Sequence, residues 1–107
     1  MTEEARTSHQ ATKEELLSLI LEVVDVEING RTFGVRPITY AEDAEINRAA
    51  DGKTEDERMR KRILLTVWKG LARPKMELTE IETLPVGLVT KLAIEIGNVS
   101  AGVEKNL

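Results

Sequence analysis

The chain has 107 residues, 41% hydrophobic but only 3% aromatic, with 15 basic against 19 acidic side chains and a formal net charge of −4. That is the size and apolar content of one globular domain with an aliphatic core, and it excludes a wholly disordered chain. The lack of cysteine excludes disulfides, thiolate catalysis and most structural zinc sites, and the acidic balance disfavours nucleic acid and anionic membrane as partners. No apolar run approaches the roughly 18 residues of a membrane span. The N-terminal segment MTEEARTSHQ is polar and acidic, unlike a secretory signal, so the expected location is the cytoplasm.

Taken in chain order, residues 1–11 lack apolar periodicity and are expected to be a flexible tail, as are residues 103–107. Residues 12–102 then form one domain. Thr12 and Glu15 have the spacing of a capping box, in which a hydroxyl accepts from a free backbone N–H and the glutamate reaches back, and a short helix is predicted from Lys13 to about Leu21. Val24 to Ile28 alternates with period two, and Asn29-Gly30 supplies the two positive φ angles of a type I′ turn. A hairpin near residues 22–36 follows, with Val26 opposite Phe33 and Val24 opposite Val35, so that the apolar residues of both strands share one face.

Two further boxes, Thr39 with Glu42 and Thr54 with Glu57, open helices running to about Ala50 and about Ala72. In the second of these Met59, Ile63, Val67 and Leu71 recur every four residues and are expected to be its buried stripe. Arg73-Pro74 stops it. Thr79 to Thr83 has room for a single turn. Pro85 opens a last helix whose apolar face is Leu88, Val89, Leu92, Ala93, Ile96 and Val99. The predicted class is α+β, a mostly helical single domain of about four helices and one β-hairpin.

Acidic side chains gather in first turns: Glu42, Asp43 and Glu45; Glu55, Asp56 and Glu57; Glu80 and Glu82. There they favour the positive end of the helix dipole, and none shows the spacing of a calcium loop. His9 is the only histidine and has no nucleophile or second ligand near it in sequence. The glycines form no phosphate-cradling motif. Nothing here argues for an enzyme, a metal or a cofactor, so the expectation is a protein-binding chain.

Between Arg58 and Met76 there are seven basic residues and no acidic one. On the helical wheel Arg58, Arg62, Lys69 and Arg73 fall within an arc of about 60°. The apolar arc of the same helix extends through Leu64 to Trp68, and Leu65 lies beside the basic stripe. The stripe reads either as a solvated face or as a contact for an acidic protein partner, with nucleic acid the weakest alternative; on the second reading Arg58, Arg62, Leu65, Trp68, Lys69 and Arg73 are the candidate partner-binding residues. An aromatic anchor bordered by cations suits a client helix with an apolar face and an acidic flank, or the acidic side of a second copy in a homo-oligomer. Should Trp68 be core instead, the surface to consider is the last helix around Leu88, Leu92 and Ile96.

The hairpin-to-helix run VEINGRTFGVRPITYAED, the amphipathic stretch ILLTVWKGL, and RPKMELTEIETLPVGLVTKLAIEI ending in VSAG resemble the tail assembly chaperones of long-tailed bacteriophages and prophages. The resemblance covers roughly residues 13 to 102. It rests on element order and on three junctions: Val35-Arg36-Pro37-Ile38-Thr39, Ala72-Arg73-Pro74-Lys75-Met76 and Leu84-Pro85. It implies a non-enzymatic chaperone that coats the tape-measure protein, assists assembly of the tail tube and is absent from the mature virion. No active-site residue is carried over. The alternatives are a structural head–tail or tail connector, which would remain in the virion, and a small DNA-binding regulator, for which the break Asp51-Gly52-Lys53 before a basic helix is the one candidate for a helix-turn-helix.

Overall fold

A computed structural model describes residues 10–19 and 22–102. The expected tails at 1–9 and 103–107, and the last residues of the expected first helix, lie outside the described residues. Helix α1 spans Lys13–Ser18, α2 Tyr40–Ala49, α3 Glu55–Gly70, α4 Leu78–Ile81 and α5 Val86–Ser100. The three Thr/Glu boxes form as spaced. In α1, α2 and α3 the Thr12, Thr39 and Thr54 hydroxyls each accept from the backbone N–H three residues on, all at 3.1 Å. Each glutamate in turn accepts from the backbone N–H of its threonine. Glu80 does the same for Glu77 N–H at 2.8 Å, which helps make α4 a fifth helix where the sequence suggested only a single turn. Pro85 sits at the cap of α5, immediately before its first helical residue.

Strands β1 (Val24–Ile28) and β2 (Arg31–Val35) pair antiparallel in the predicted register, Val24 to Val35 and Val26 to Phe33. Asn29 and Gly30 carry φ of 54° and 78°, which a type I′ turn requires. A third strand, β3 (Leu71–Arg73), pairs antiparallel with β2 and completes a sheet of order β1-β2-β3. Periodicity alone extended α3 to about Ala72. In fact the helix ends at Gly70, Leu71 turns extended (φ −83°, ψ 113°), and the backbone N–H of Arg36 donates to Gly70 O at 2.9 Å. Leu71 is buried in either conformation, so the four-residue spacing could not report the change.

The core lies between the sheet and the pair α3 and α5. Val26, Ile28 and Val35 from the sheet meet Val67, Leu71, Ile81, Val89, Leu92 and Ile96. α2 packs on α3, and so does α4. Two sequence expectations fail here. Met59 is 53% exposed, so the stripe of α3 turns inward only at the half-buried Ile63 and is fully buried at Val67. Leu92 and Ile96 are fully buried, which removes them as a docking surface.

The junction between β2 and α2 is fixed electrostatically. The Arg36 guanidinium grips the Glu42 carboxylate at 2.6 and 3.0 Å, while Glu42 also caps α2 through Thr39 N–H. The Arg36 hydrogen bond, aided by that cap and opposed by partial burial, lowers the Glu42 pKa from 4.5 to about 2. A carboxyl whose folded pKa is depressed contributes stability above its unfolded pKa and loses it as pH falls through the folded value. Denaturant midpoints should therefore fall between about pH 4.5 and pH 2 more steeply for the wild type than for Glu42→Gln. The two should converge near the acid end. Parallel acid limbs would show that the pair does not contribute.

Candidate protein-binding site

The basic stripe of α3 is occupied within the chain. Arg62 lies 3.5 Å from Asp43 of α2, and Lys69 lies 3.4 Å from Glu45, two residues further along the same helix. Arg58 pairs with Glu55 at 2.5 Å and donates to Gly52 O at 2.9 Å. Arg73 leaves β3, crosses Gly34 and reaches Asp25 of β1 at 2.7 Å. Such partly exposed pairs each contribute roughly 0–1 kcal/mol; the Arg62 and Lys69 pairs join α2 to α3, the Arg58 pair stays within the first turn of α3, and the Arg73 pair joins β3 to β1.

Leu65 and Trp68 are half-buried. They line a groove of about 510 Å³ between α2 and α3, whose floor is the buried Ile46 and whose rim is Glu45, Arg48 and Lys69. The Trp68 ring also packs against the core, and the Lys69 ammonium stands 5.2 Å from its centre, within cation–π range. Of the six predicted residues, the structure thus brings Leu65, Trp68 and Lys69 to one groove. Arg62, with Asp43, lines the groove between α3 and α5 described next, and Arg58 and Arg73 line neither.

A second and more exposed apolar surface runs between α3 and α5. A groove of about 500 Å³ is lined by Ile38, Met59, Ile63, Ala93, Ile94 and Gly97, among others. It continues past Ile63 and Thr90 into one of about 430 Å³ that includes Val86 and Val89. Met59 is 53%, Ile94 56% and Val86 82% exposed. Sequence reasoning missed this surface for two reasons. Met59 fitted a buried period, and Ile94 lies on the wheel opposite Leu92 and Ile96. A β-branched apolar residue amid Thr90, Lys91, Gly97 and Asn98 was the available signal.

The clustered carboxylates are largely occupied as caps and ion-pair partners. Among the described residues no group of three or more His, Cys, Asp or Glu side chains could hold a metal ion, and no helix is long and apolar enough to cross a membrane. His9 lies outside the described residues. No family model, curated protein or solved structure matches the chain.

Proposed function

We propose that this chain is a non-catalytic tail assembly chaperone of a long-tailed bacteriophage or prophage. It would hold an amphipathic helix of its client, the tape-measure protein, in the α3–α5 groove while tail-tube subunits assemble. The observation that carries this reading is the line of exposed apolar side chains, Met59, Ile94 and Val86, flanking a channel in which Ala93 and Gly97 let a third helix approach. Contiguous exposed apolar surface of this kind marks an interaction site, and an amphipathic helix in a groove is a standard way to cover it. Neutralisation of the basic stripe by Asp43 and Glu45 favours a protein client over nucleic acid.

The test is binding of helical tape-measure segments to the wild type, Ile94→Asp and Met59→Asp. Both positions are exposed, so melting temperatures should hardly move. Each substitution should weaken binding by about 2 kcal/mol or more, roughly 30-fold. Unaltered affinity in both would remove the α3–α5 groove as the client seat. A chaperone should also be missing from purified particles, whereas a connector would be retained in them.

A further inference from the structure

A groove of about 540 Å³ runs between the hairpin turn, the chain after β3 and the first half of α5, and its lining shares only Leu84 with the α3–α5 surface. Phe33, Met76, Leu84 and Leu88 line it, each only partly buried, above the buried Leu71 and Leu92. The charge around it has one sign. Arg31 is its one charged lining residue, and Lys75 sits in the chain between the lining residues Pro74 and Met76. Lys91 reaches the turn at its end and donates to Asn29 Oδ1 at 3.4 Å. No carboxylate lines the groove; Glu27 lines a neighbouring hollow with Lys91 instead. The cations of the α3 stripe are paired within the chain, whereas neither Arg31 nor Lys75 has an ion-pair partner among the described residues.

We infer that this groove docks an acidic amphipathic helix of a partner protein. The helix buries large apolar side chains against Phe33, Met76, Leu84 and Leu88 and sets carboxylates beside Arg31 and Lys75. The sign of the charge selects the occupant. The chain as a whole stands at −4, so an acidic partner is repelled in general and attracted here, which orients its approach. The apolar lining asks for more than charge. A helix presenting apolar side chains at i, i+3, i+4 and i+7 covers such a groove while its polar flanks stay in water. Arg31 and Lys75 gain a partner without losing one, whereas Arg62 and Lys69 would first have to leave Asp43 and Glu45. The surface stands or falls independently of the client reading of the α3–α5 groove.

The test uses two synthetic peptides with leucines at i, i+3, i+4 and i+7, flanked by glutamates in one and by lysines in the other, with binding to the full chain read by fluorescence anisotropy. The wild type should bind the glutamate peptide about tenfold more tightly, since each exposed ion pair contributes little and two are made. Added salt should narrow the difference. Net charge alone would favour the lysine peptide, so the opposite preference reports a local cationic site. Arg31→Gln/Lys75→Gln should abolish the preference, and Arg31→Glu/Lys75→Glu should reverse it. Both positions are exposed, so the variants should stay folded by circular dichroism. Ile94→Asp, which alters the α3–α5 groove, should leave both affinities unchanged. Equal affinity for the two peptides, no measurable binding of either, or a preference for glutamate that survives the charge reversal overturns the assignment. So does loss of binding in Ile94→Asp with the Arg31/Lys75 variants unaffected, which would put the peptide in the α3–α5 groove.

Discussion

Gly70→Ala is expected to destabilise the domain by about 1–3 kcal/mol, the usual cost of overpacking a core, even though alanine is the better helix former by roughly 1 kcal/mol. A Cβ at position 70 would lie 2.6 Å from Cγ2, 2.8 Å from Cδ1 and 2.9 Å from Cγ1 of Ile96. Ile96 is fully buried in the central cluster and has no free direction in which to retreat. The end of α3 cannot move away either, because Gly70 O accepts from Arg36 N–H and Leu71 is paired to Val35 across the sheet. A double-mutant cycle with Ile96→Ala isolates the contact. Ile96→Ala alone should cost about 2–5 kcal/mol. In that background Gly70→Ala should cost nothing or become stabilising, since all three clashing atoms are gone. Additive effects in urea unfolding would mean that α3 and α5 are not so closely apposed.

Gly70 also shows why the fold was only partly legible. Patterns confined to a few residues were readable: Thr12 with Glu15, Thr39 with Glu42 and Thr54 with Glu57 form their boxes, and Asn29-Gly30 sets the hairpin register. In each case the signal and the structure it specifies span only a few residues. The third strand was not readable, because β3 exists only where β2 offers an edge, and Leu71 satisfies a helical period and a strand equally well. Met59 failed for the converse reason. Periodicity marks which residues could share a face, but burial needs a neighbour, and Met59 lies on the open side of the α3–α5 groove, 53% exposed.

The candidate site divides in the same way. The arc holding Arg58, Arg62, Lys69 and Arg73 followed from helix geometry alone. Its meaning depended on Asp43, Glu45 and Asp25, which come from other elements. A stripe that looks like one docking surface in one dimension is divided in three: Arg62 and Lys69 join the seam between α2 and α3, Arg58 stays within α3, and Arg73 belongs to the sheet. The apolar side chains left over by that packing, Met59, Val86 and Ile94, could be identified only once the partners of the others were known.

Trp68→Ala should be costly for stability rather than for client binding. An exposed anchor would show a modest loss of stability and more than about 2 kcal/mol of lost binding. The ring instead packs against the core cluster while walling the α2–α3 groove. Full truncation of a buried Trp costs about 3–5 kcal/mol, so a half-buried one should cost roughly 2–4 kcal/mol. For a domain of this size that corresponds to a fall in melting temperature on the order of 10 °C or more. Trp68→Phe, which keeps an aromatic ring against the cluster, should recover much of the loss. Lys69→Gln removes the cation beside the ring and the pair with Glu45, and should cost less than 1 kcal/mol. Client affinity, measured at a temperature where every variant is folded, should then stay close to wild type for Trp68→Ala and drop for Ile94→Asp. The reverse pattern, with the melting temperature unmoved and binding lost at Trp68, would transfer the client seat from the α3–α5 groove to the α2–α3 groove. In that event Leu65 and Lys69, which line the same groove, become the next residues to substitute.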